Sequence, residues 1–188
     1  MKLHIKYDIN TACKVILQEQ LDKLAMPYKI TGLGEVEIKA TLSPEKYKTL
    51  QTSLKKYGIE IIDNPKNVFV QKIKDAIVEM VYLEEKLPSS KISAYLADKL
   101  NQSYGHLSSV FSEVTYSSIE NFIILQKIER AKQMIIEGKE TLTEIAWQLN
   151  YSSVAHLSNQ FKKTTGLTPT AFQRIIKKRQ GTDVPTEK

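Results

Sequence analysis

The sequence predicts an α+β protein in which a small domain of alternating strands and helices precedes an all-helical domain. Three observations lead to this fold class. Before residue 63, apolar residues recur at every second position in several short runs, which is typical of half-buried strands. After residue 64 they recur at every third or fourth position, which is typical of amphipathic helices. One pattern then occurs twice within residues 91–180, which indicates a duplicated structural unit.

The composition of the 188-residue chain is that of a globular protein with a basic surface. Hydrophobic residues make up 41% of it, enough for packed cores, and its formal net charge of +6 favours a polyanionic partner. The first residues do not resemble a signal peptide, and no apolar run approaches the ~20 residues that span a bilayer. The single cysteine, Cys13, cannot form an intrachain disulfide. We therefore expect a cytoplasmic protein with no membrane partner.

The predicted elements of residues 1–63 alternate in the order β-α-β-β-α-β. Alternating apolar residues mark four strands, at residues 2–8, 28–31, 36–42 and 59–61. Helical spacing marks two helices, at residues 11–25, ended by Pro27, and from the Ser43-Pro44 cap to Gly58. This order is that of the ferredoxin-like fold, which we expect to form a sensory or assembly domain.

A longer apolar stripe predicts a helix over residues 66–85, within a connecting segment at 64–90. This helix is either the first helix of the following domain or a connector between the two domains. Residues 86–90, which include Pro88, are expected to form a hinge.

The amino-terminal 63 residues resemble a heavy-metal-associated domain. That family places C-x-x-C in the loop after its first strand, where two thiolates hold one soft metal ion. Here the corresponding residues are Asn10-Thr11-Ala12-Cys13, so the first thiolate is missing. Cys13 is either a residual metal ligand or redox sensor, or a small inward-facing residue of the first helix, and we favour the second interpretation. No metal site is predicted, and Cys13 is the one candidate metal ligand.

Residues 141–174 predict two short helices, a tight turn between them and a third helix. Thr141 and Glu144 have the spacing of a capping box at a helix start. Asn150 tolerates a left-handed turn after the first helix, and Gly166 ends the second. This is the helix-turn-helix pattern, whose second helix can enter the major groove of DNA.

A similar pattern lies about fifty residues earlier. The letters HLSxxF occupy residues 106–111 and 156–161, and Thr115 and Phe122 recur at the same offset of 50. The first motif is therefore expected to contain helices over residues 91–100 and 104–113. A linking helix over residues 119–137, ended by Gly138, then separates the two motifs.

At these residues the chain resembles the DNA-binding domain of AraC/XylS-type regulators. That family ends its second motif in a pattern close to F-K-K-x-x-G-x-[ST]-P-x-x-[FY]-[RQ], which here reads FKKTTGLTPTAFQ and is followed by Arg174. The resemblance covers roughly residues 67–180. It implies two helix-turn-helix motifs, joined by a long helix, that reach successive major-groove faces ~34 Å apart.

The chain departs from the family pattern at three positions. Asn150 replaces a usual glycine, Tyr116 replaces the glycine at the exit of the first motif, and Lys127 replaces a usual arginine on the linking helix. Asparagine can adopt the left-handed turn, whereas Tyr116 is expected to need a different local geometry.

The resemblance implies DNA contacts on the outward faces of two recognition helices, about residues 104–113 and 153–163. Asn159 is the strongest candidate base reader because its amide can form two hydrogen bonds with adenine. His156 either contacts DNA or packs within the domain, since His106 repeats it, and Trp147 is expected in the core. The candidate base-reading residues are Ser153, Ala155, His156, Asn159 and Gln160 in the second motif, and Tyr104, Gly105, Ser108 and Ser109 in the first.

Charged residues, together with one further polar residue, are the candidates for contacts with the DNA backbone. The candidate phosphate contacts are Ser152, Lys162, Lys163, Arg174, Lys177, Lys178 and Arg179, whose cations lie in a segment without acids. The first motif offers serines, which discriminate little between bases, and Glu113 and Glu120, which repel phosphates. Because serines discriminate little, we expect this motif to contribute mainly backbone contacts.

These observations predict a sequence-specific transcription regulator that binds double-stranded DNA. No cofactor is expected, and no Gly-x-Ser-x-Gly, phosphate loop or carboxylate cluster indicates an enzyme. Contact with RNA polymerase and homodimer formation stay open, and the effector is unknown. One alternative is a regulator whose first domain only dimerises. Another is a metal-binding or metal-responsive protein acting through that domain.

A third alternative is an alkyl acceptor in DNA repair that uses Cys13, although the zinc-holding cysteines expected there are absent. Residues 181–188 are expected to be a disordered tail.

Overall fold

The chain forms two compact units, which meet in the sequence between Asn64 and Pro65. A computed structural model describes residues 2, 3, 5, 8–82 and 91–180. The predicted hinge at 86–90 and the predicted tail at 181–188 lie outside these described residues.

The amino-terminal unit consists of two helices and a β-hairpin in its described part. Its elements are α1 (Ile9–Lys23), β1 (Tyr28–Gly32), β2 (Glu35–Ile38) and α2 (Pro44–Lys55). The strands are antiparallel, with Tyr28 opposite Ile38. Their inward residues pack with Leu21, Leu50 and Leu54 of the two helices, so the hairpin and the helices share one small core.

Local cap chemistry defines both helix starts in this unit. The Asp8 carboxylate accepts a hydrogen bond from the Thr11 amide at 2.9 Å. Ser43 caps α2 as the sequence predicts, with Pro44 in the first turn, where its missing N–H is not needed. α1 ends at Lys23 rather than at residue 25, because Ala25 adopts a left-handed φ of 50°.

The predicted ferredoxin-like fold is wrong. Its βαββαβ plan requires two strands in addition to the hairpin, but residues 2, 3, 5 and 59–61 are not in strands. Residues 4, 6 and 7 of the predicted first strand lie outside the described residues. Ile59 and Ile61 pack against the small core from irregular backbone. Their alternation therefore reports one-sided burial without strand pairing.

The resemblance to a heavy-metal-associated domain is not supported either. The residues that correspond to its metal loop, Asn10 to Cys13, lie inside α1. Cys13 is half-buried there, with a free thiol. Within the part of the chain that the structure describes, no group of three or more His, Cys, Asp and Glu side chains could hold a metal ion.

The carboxyl-terminal unit contains seven helices among its described residues. They are α3 (Pro65–Tyr82), α4 (Ile92–Leu100), α5 (Tyr104–Thr115), α6 (Ile119–Glu137), α7 (Leu142–Gln148), α8 (Val154–Thr165) and α9 (Pro169–Gln180). α3 packs against α4, α5 and α6, so it is part of this helical unit. None of the described helices is long and apolar enough to cross a bilayer.

Helix α6 joins two hydrophobic cores. Ile119 and Ile123 at its start lie in the first core, which also contains residues of α3, α4 and α5. Ile128 and Ile135 further along lie in the second core, with residues of α7 and α8. A single helix thus connects the two motifs through both cores, and its role in setting the spacing of the recognition helices stays a prediction.

Candidate nucleic-acid interface

The two helix-turn-helix motifs, α4–α5 and α7–α8, have the same turns and caps. Asn101 and Asn150 are the turn residues, with left-handed φ values of 50° and 54°. Ser103 Oγ and Ser153 Oγ then accept a hydrogen bond from the amide three residues later, at 3.3 and 3.1 Å. These contacts fix where each recognition helix begins, so the duplication seen in the sequence is also a duplication of local geometry.

The two recognition helices also leave their motifs in the same way. The Phe111 and Phe122 rings lie 5.7 Å apart at an interplanar angle of 56°, and the Phe161 and Phe172 rings lie 5.6 Å apart at 55°. These pairs hold each recognition helix against the helix that follows it.

The predicted difference at Tyr116 is wrong. Tyr116 has φ 54° and ψ 27° and ends α5 in the left-handed conformation that Gly166 adopts at the end of α8. The side chain of Tyr116 is 95% exposed. The same exit is therefore made with a residue for which this conformation costs about 1–2 kcal/mol.

Replacing Tyr116 by glycine should raise the free energy of unfolding by about 1 kcal/mol, because glycine adopts this conformation without steric cost. Urea denaturation measures the change. Gly166→Ala is the matched control and should lower the free energy of unfolding by a similar amount. A Cβ at Gly166 would meet no atom within 4 Å, so the substitution would destabilise the chain through backbone strain and not through a steric clash. A destabilised Tyr116→Gly chain would contradict this account.

The second recognition helix, α8, presents a polar outward face. Leu157 and Phe161 are fully buried and fix its inner side. Of the candidate base-reading residues, Ser153, Ala155, His156 and Asn159 are exposed and Gln160 is half-buried. These side chains are therefore brought together on one side of one helix.

His156 is exposed and also held in place. Its Nδ1 lies 3.0 Å from Ser152 Oγ, and its ring meets the ring of Tyr151 edge-on at 5.2 Å. These contacts support the packing interpretation of His156, and contact with DNA stays a prediction for this exposed side chain.

The first recognition helix, α5, presents smaller residues. Gly105 and Ser109 are exposed, while Tyr104 and Ser108 are half-buried. The Tyr104 hydroxyl donates to the Glu120 carboxylate, and burial together with this hydrogen bond raises the pKa of Tyr104. The same hydrogen bond lowers the pKa of Glu120. Tyr104, one of the predicted base-reading residues, therefore has its hydroxyl engaged within the domain.

The positive charge of the candidate interface lies on α8 and α9. Residues 145–180 contain no Asp or Glu, and their cations are those predicted to contact phosphates. Ser152, Lys162 and Lys163 are exposed at the two ends of α8. Arg174, Lys177, Lys178 and Arg179 are exposed on α9, which packs against α6 and α8. These two helices therefore carry exposed positive charge without a compensating carboxylate from their own segment.

Trp147 is not in the core, contrary to prediction. Ile145, Ala146 and Leu149 form the buried stripe of the second supporting helix, and Trp147 lies outside it with 59% of its surface exposed. The side chain is exposed because residue 147 lies on the outer side of the helix, even though indole is largely apolar.

Lys127 and Tyr151 form a buried contact behind His156 that the sequence analysis missed. Lys127 is only 8% exposed, and its Nζ lies 5.2 Å from the centre of the Tyr151 ring. Burial lowers the pKa of Lys127 to about 8 and raises the pKa of Tyr151 to about 12. The sequence does contain a signal that Lys127 is buried. It lies one helical turn from both Ile123 and Ala131, within the apolar stripe of the linking helix.

Comparisons with known proteins agree with the carboxyl-terminal geometry. Residues 96–175 match a family described as a helix-turn-helix domain. An uncharacterised HTH-type regulator of Bacillus subtilis, YobQ, is 27% identical over 118 residues, covering 60% of this chain and 49% of that protein. An uncharacterised HTH-type regulator of Pseudoalteromonas carrageenovora is 30% identical over 107 residues, covering 56% and 63%. The chain thus spans about half to two thirds of the length of these relatives.

Solved structures share the fold. The carboxyl-terminal domain of AraT, a response regulator of Geobacillus stearothermophilus, has a TM-score of 0.51 at 20% identity and covers 60% of this chain and 88% of that chain. A Chromobacterium violaceum transcriptional regulator with an AraC-type DNA-binding domain has a TM-score of 0.50 at 17% identity, covering 58% and 96%. Residues 96–175 are therefore a helix-turn-helix domain, and the helical unit that contains them has the fold of AraC-type DNA-binding domains.

Proposed function

We propose that the chain is a sequence-specific transcription regulator of the AraC/XylS type, whose helices α5 and α8 enter the DNA major groove. The observation that carries this proposal is the outward face of α8. Exposed Asn159 and His156 lie there, ahead of the exposed cations Lys162 and Lys163. A polar face flanked by cations can read base edges and bind phosphates at the same time.

The two recognition helices have different roles in this proposal. α8 reads bases through its larger polar side chains. α5 offers Gly105 and Ser109 at the positions that Ala155 and Asn159 occupy on α8, so it mainly follows the DNA backbone. The preferred DNA site should then be better defined in the segment that α8 contacts.

The amino-terminal unit is proposed to sense an effector or to assemble two copies of the chain. Selection of random duplex DNA on the purified full chain, followed by sequencing, tests the regulator and the assembly together. A site of roughly one to two helical turns is expected. Inverted symmetry in that site would support a homodimer, whereas failure to enrich any sequence would contradict the proposed function.

Asn159→Ala should relax the preference at one base position, at a cost of about 1–3 kcal/mol in binding free energy to the preferred site. The reason is the loss of the amide that pairs with one base. Repeating the selection with this variant measures the change. An unchanged preferred site would show that α8 is wrongly placed in the groove.

Lys163→Ala is the control for this experiment, since it removes a phosphate contact in place of a base contact. It should weaken binding to all sequences about equally. It should also make the slope of log affinity against log salt less negative by ~0.9.

A further inference from the structure

The first turn of α3 lies against the first recognition helix. Lys66 Nζ forms an ion pair with Glu113 Oε1, which joins α3 to α5. Three residues further along α3, the Phe69 ring lies 5.5 Å from the ring of His106, in the first turn of α5. Residues seven apart lie on the same face of a helix. α3 therefore contacts one face of α5 near both of its ends.

The ion pair occupies a position where the second motif has a cation. At the repeat offset of 50 residues, Glu113 corresponds to Lys163, which is a proposed phosphate contact. α5 itself contains no Lys or Arg. An isolated carboxylate at this position would repel the DNA backbone, so the charge around Glu113 matters for the approach of α5.

Both partners lie at the surface, exposed to solvent. The side chains of Lys66 and Glu113 are 59% and 57% exposed. An exposed ion pair contributes little to folding stability. Its effect on a nearby phosphate is different, because charges closer than the Debye length of ~8 Å are incompletely screened.

We propose that Lys66 is a positioning residue for DNA binding, which neutralises Glu113 and so permits α5 to approach the phosphate backbone. The first recognition helix thus receives from α3 the positive charge that α8 carries itself. This inference rests on the proposed function, since it describes how the same interface accommodates an acid.

Affinity for the selected duplex, measured on the full chain at several salt concentrations, tests this role. Lys66→Ala should weaken binding about eightfold at 0.1 M salt, the factor that one charge contributes at a slope of ~0.9. Glu113→Gln in the Lys66→Ala background should restore affinity to within about twofold of the unsubstituted chain, because no charge is then left to neutralise. Lys66→Arg should bind like the unsubstituted chain.

The matched control is Lys132→Ala, which also removes one cation and one ion pair, the pair with Glu129 on α6. It should change the affinity less than about twofold, because its ion pair lies within α6 and includes no residue of a recognition helix. Thermal unfolding of every variant shows whether a loss of affinity follows a loss of structure.

Three results would overturn the inference while leaving the proposed function intact. The first is a Lys66→Ala chain that binds like the unsubstituted one. The second is a double variant as weak as Lys66→Ala, which would mean that Lys66 contacts DNA itself. The third is a fall in both melting temperature and affinity that Glu113→Gln does not reverse. If the unsubstituted chain enriches no duplex, the proposed function fails, and this inference fails with it.

Discussion

A chain carrying Phe161→Ala should lose about 3–5 kcal/mol of its free energy of unfolding. Phe161 is fully buried in the second core, and its ring packs on Phe172. Truncation removes its transfer free energy and leaves a cavity that the surrounding helices can fill only in part. Because α8 is held by this ring, the proposed sequence-specific DNA binding should be lost as well. Urea denaturation and binding to the selected duplex measure the two effects.

Leu125→Ala is the control for this experiment. Leu125 lies on α6 with 48% of its surface exposed, so its truncation should change the free energy of unfolding by no more than about 0.5 kcal/mol. Phe111→Ala should reproduce the large loss in the first core, since Phe111 is the repeat equivalent of Phe161. A loss below about 1 kcal/mol for Phe161→Ala would contradict the burial described for this ring.

Replacing Lys127 by methionine should raise the free energy of unfolding at pH 7 by about 1–3 kcal/mol. At that pH the lysine is protonated in both the folded and the unfolded chain, and only the folded chain buries its charge. Methionine fills a similar volume, keeps a contact with the Tyr151 ring and has no charge to desolvate.

The same variant should lose a pH dependence that the unsubstituted chain has. Burial lowers the pKa of Lys127 to about 8, against 10.5 for an ordinary lysine. Between these values the unfolded chain binds more protons than the folded one, so stability should increase as the pH rises from 8 towards 10. Urea denaturation at pH 7, 8, 9 and 10 measures the effect, as the difference between the two chains.

The pH series ends at pH 10 because a second group, Tyr151, acts in the opposite direction at higher pH. Its pKa is raised to about 12, so the stability that it contributes is lost as the pH rises above the ordinary tyrosine pKa of 10.0. Lys139→Met changes an exposed lysine and should leave the pH profile unaltered. Identical profiles for the unsubstituted and Lys127→Met chains between pH 8 and 10 would show that Lys127 is not a buried titrating group.

The helical unit was predictable because its signals are local. The capping box at Thr141 is present, with Glu144 Oε2 accepting from the Thr141 amide at 2.7 Å and the Glu144 amide donating to Thr141 Oγ1 at 3.2 Å. Such contacts join residues three apart, so spacing alone predicts them. The repeat then supplied the equivalent positions of the first motif.

The amino-terminal fold was not predictable in the same way, because strand pairing is not local. Alternating residues mark a face that is buried, but they do not specify which strand lies alongside. Ile59 and Ile61 obtain their burial from the helices without joining the hairpin. Trp147 shows a related limit, since its apolar character favoured the core while its helical position places it outside.

The matching turns, caps and aromatic pairs of the two motifs make their outward residues exchangeable in principle. α5 and α8 already share a histidine and a serine at equivalent positions. The positions at which their candidate contact residues differ are Tyr104, Gly105, Ser109, Val110, Ser112 and Glu113 on α5, which correspond to Val154, Ala155, Asn159, Gln160, Lys162 and Lys163 on α8. A chain with the α8 residues at those α5 positions would present one chemical surface twice, at the separation that α6 sets. Its preferred DNA would be a tandem repeat of one short sequence. The two motifs therefore form one repeated scaffold. Under the proposed function, exchanging their outward residues would change the order of the short sequences that the domain prefers in DNA, while the cores and turns that hold the two helices stay the same.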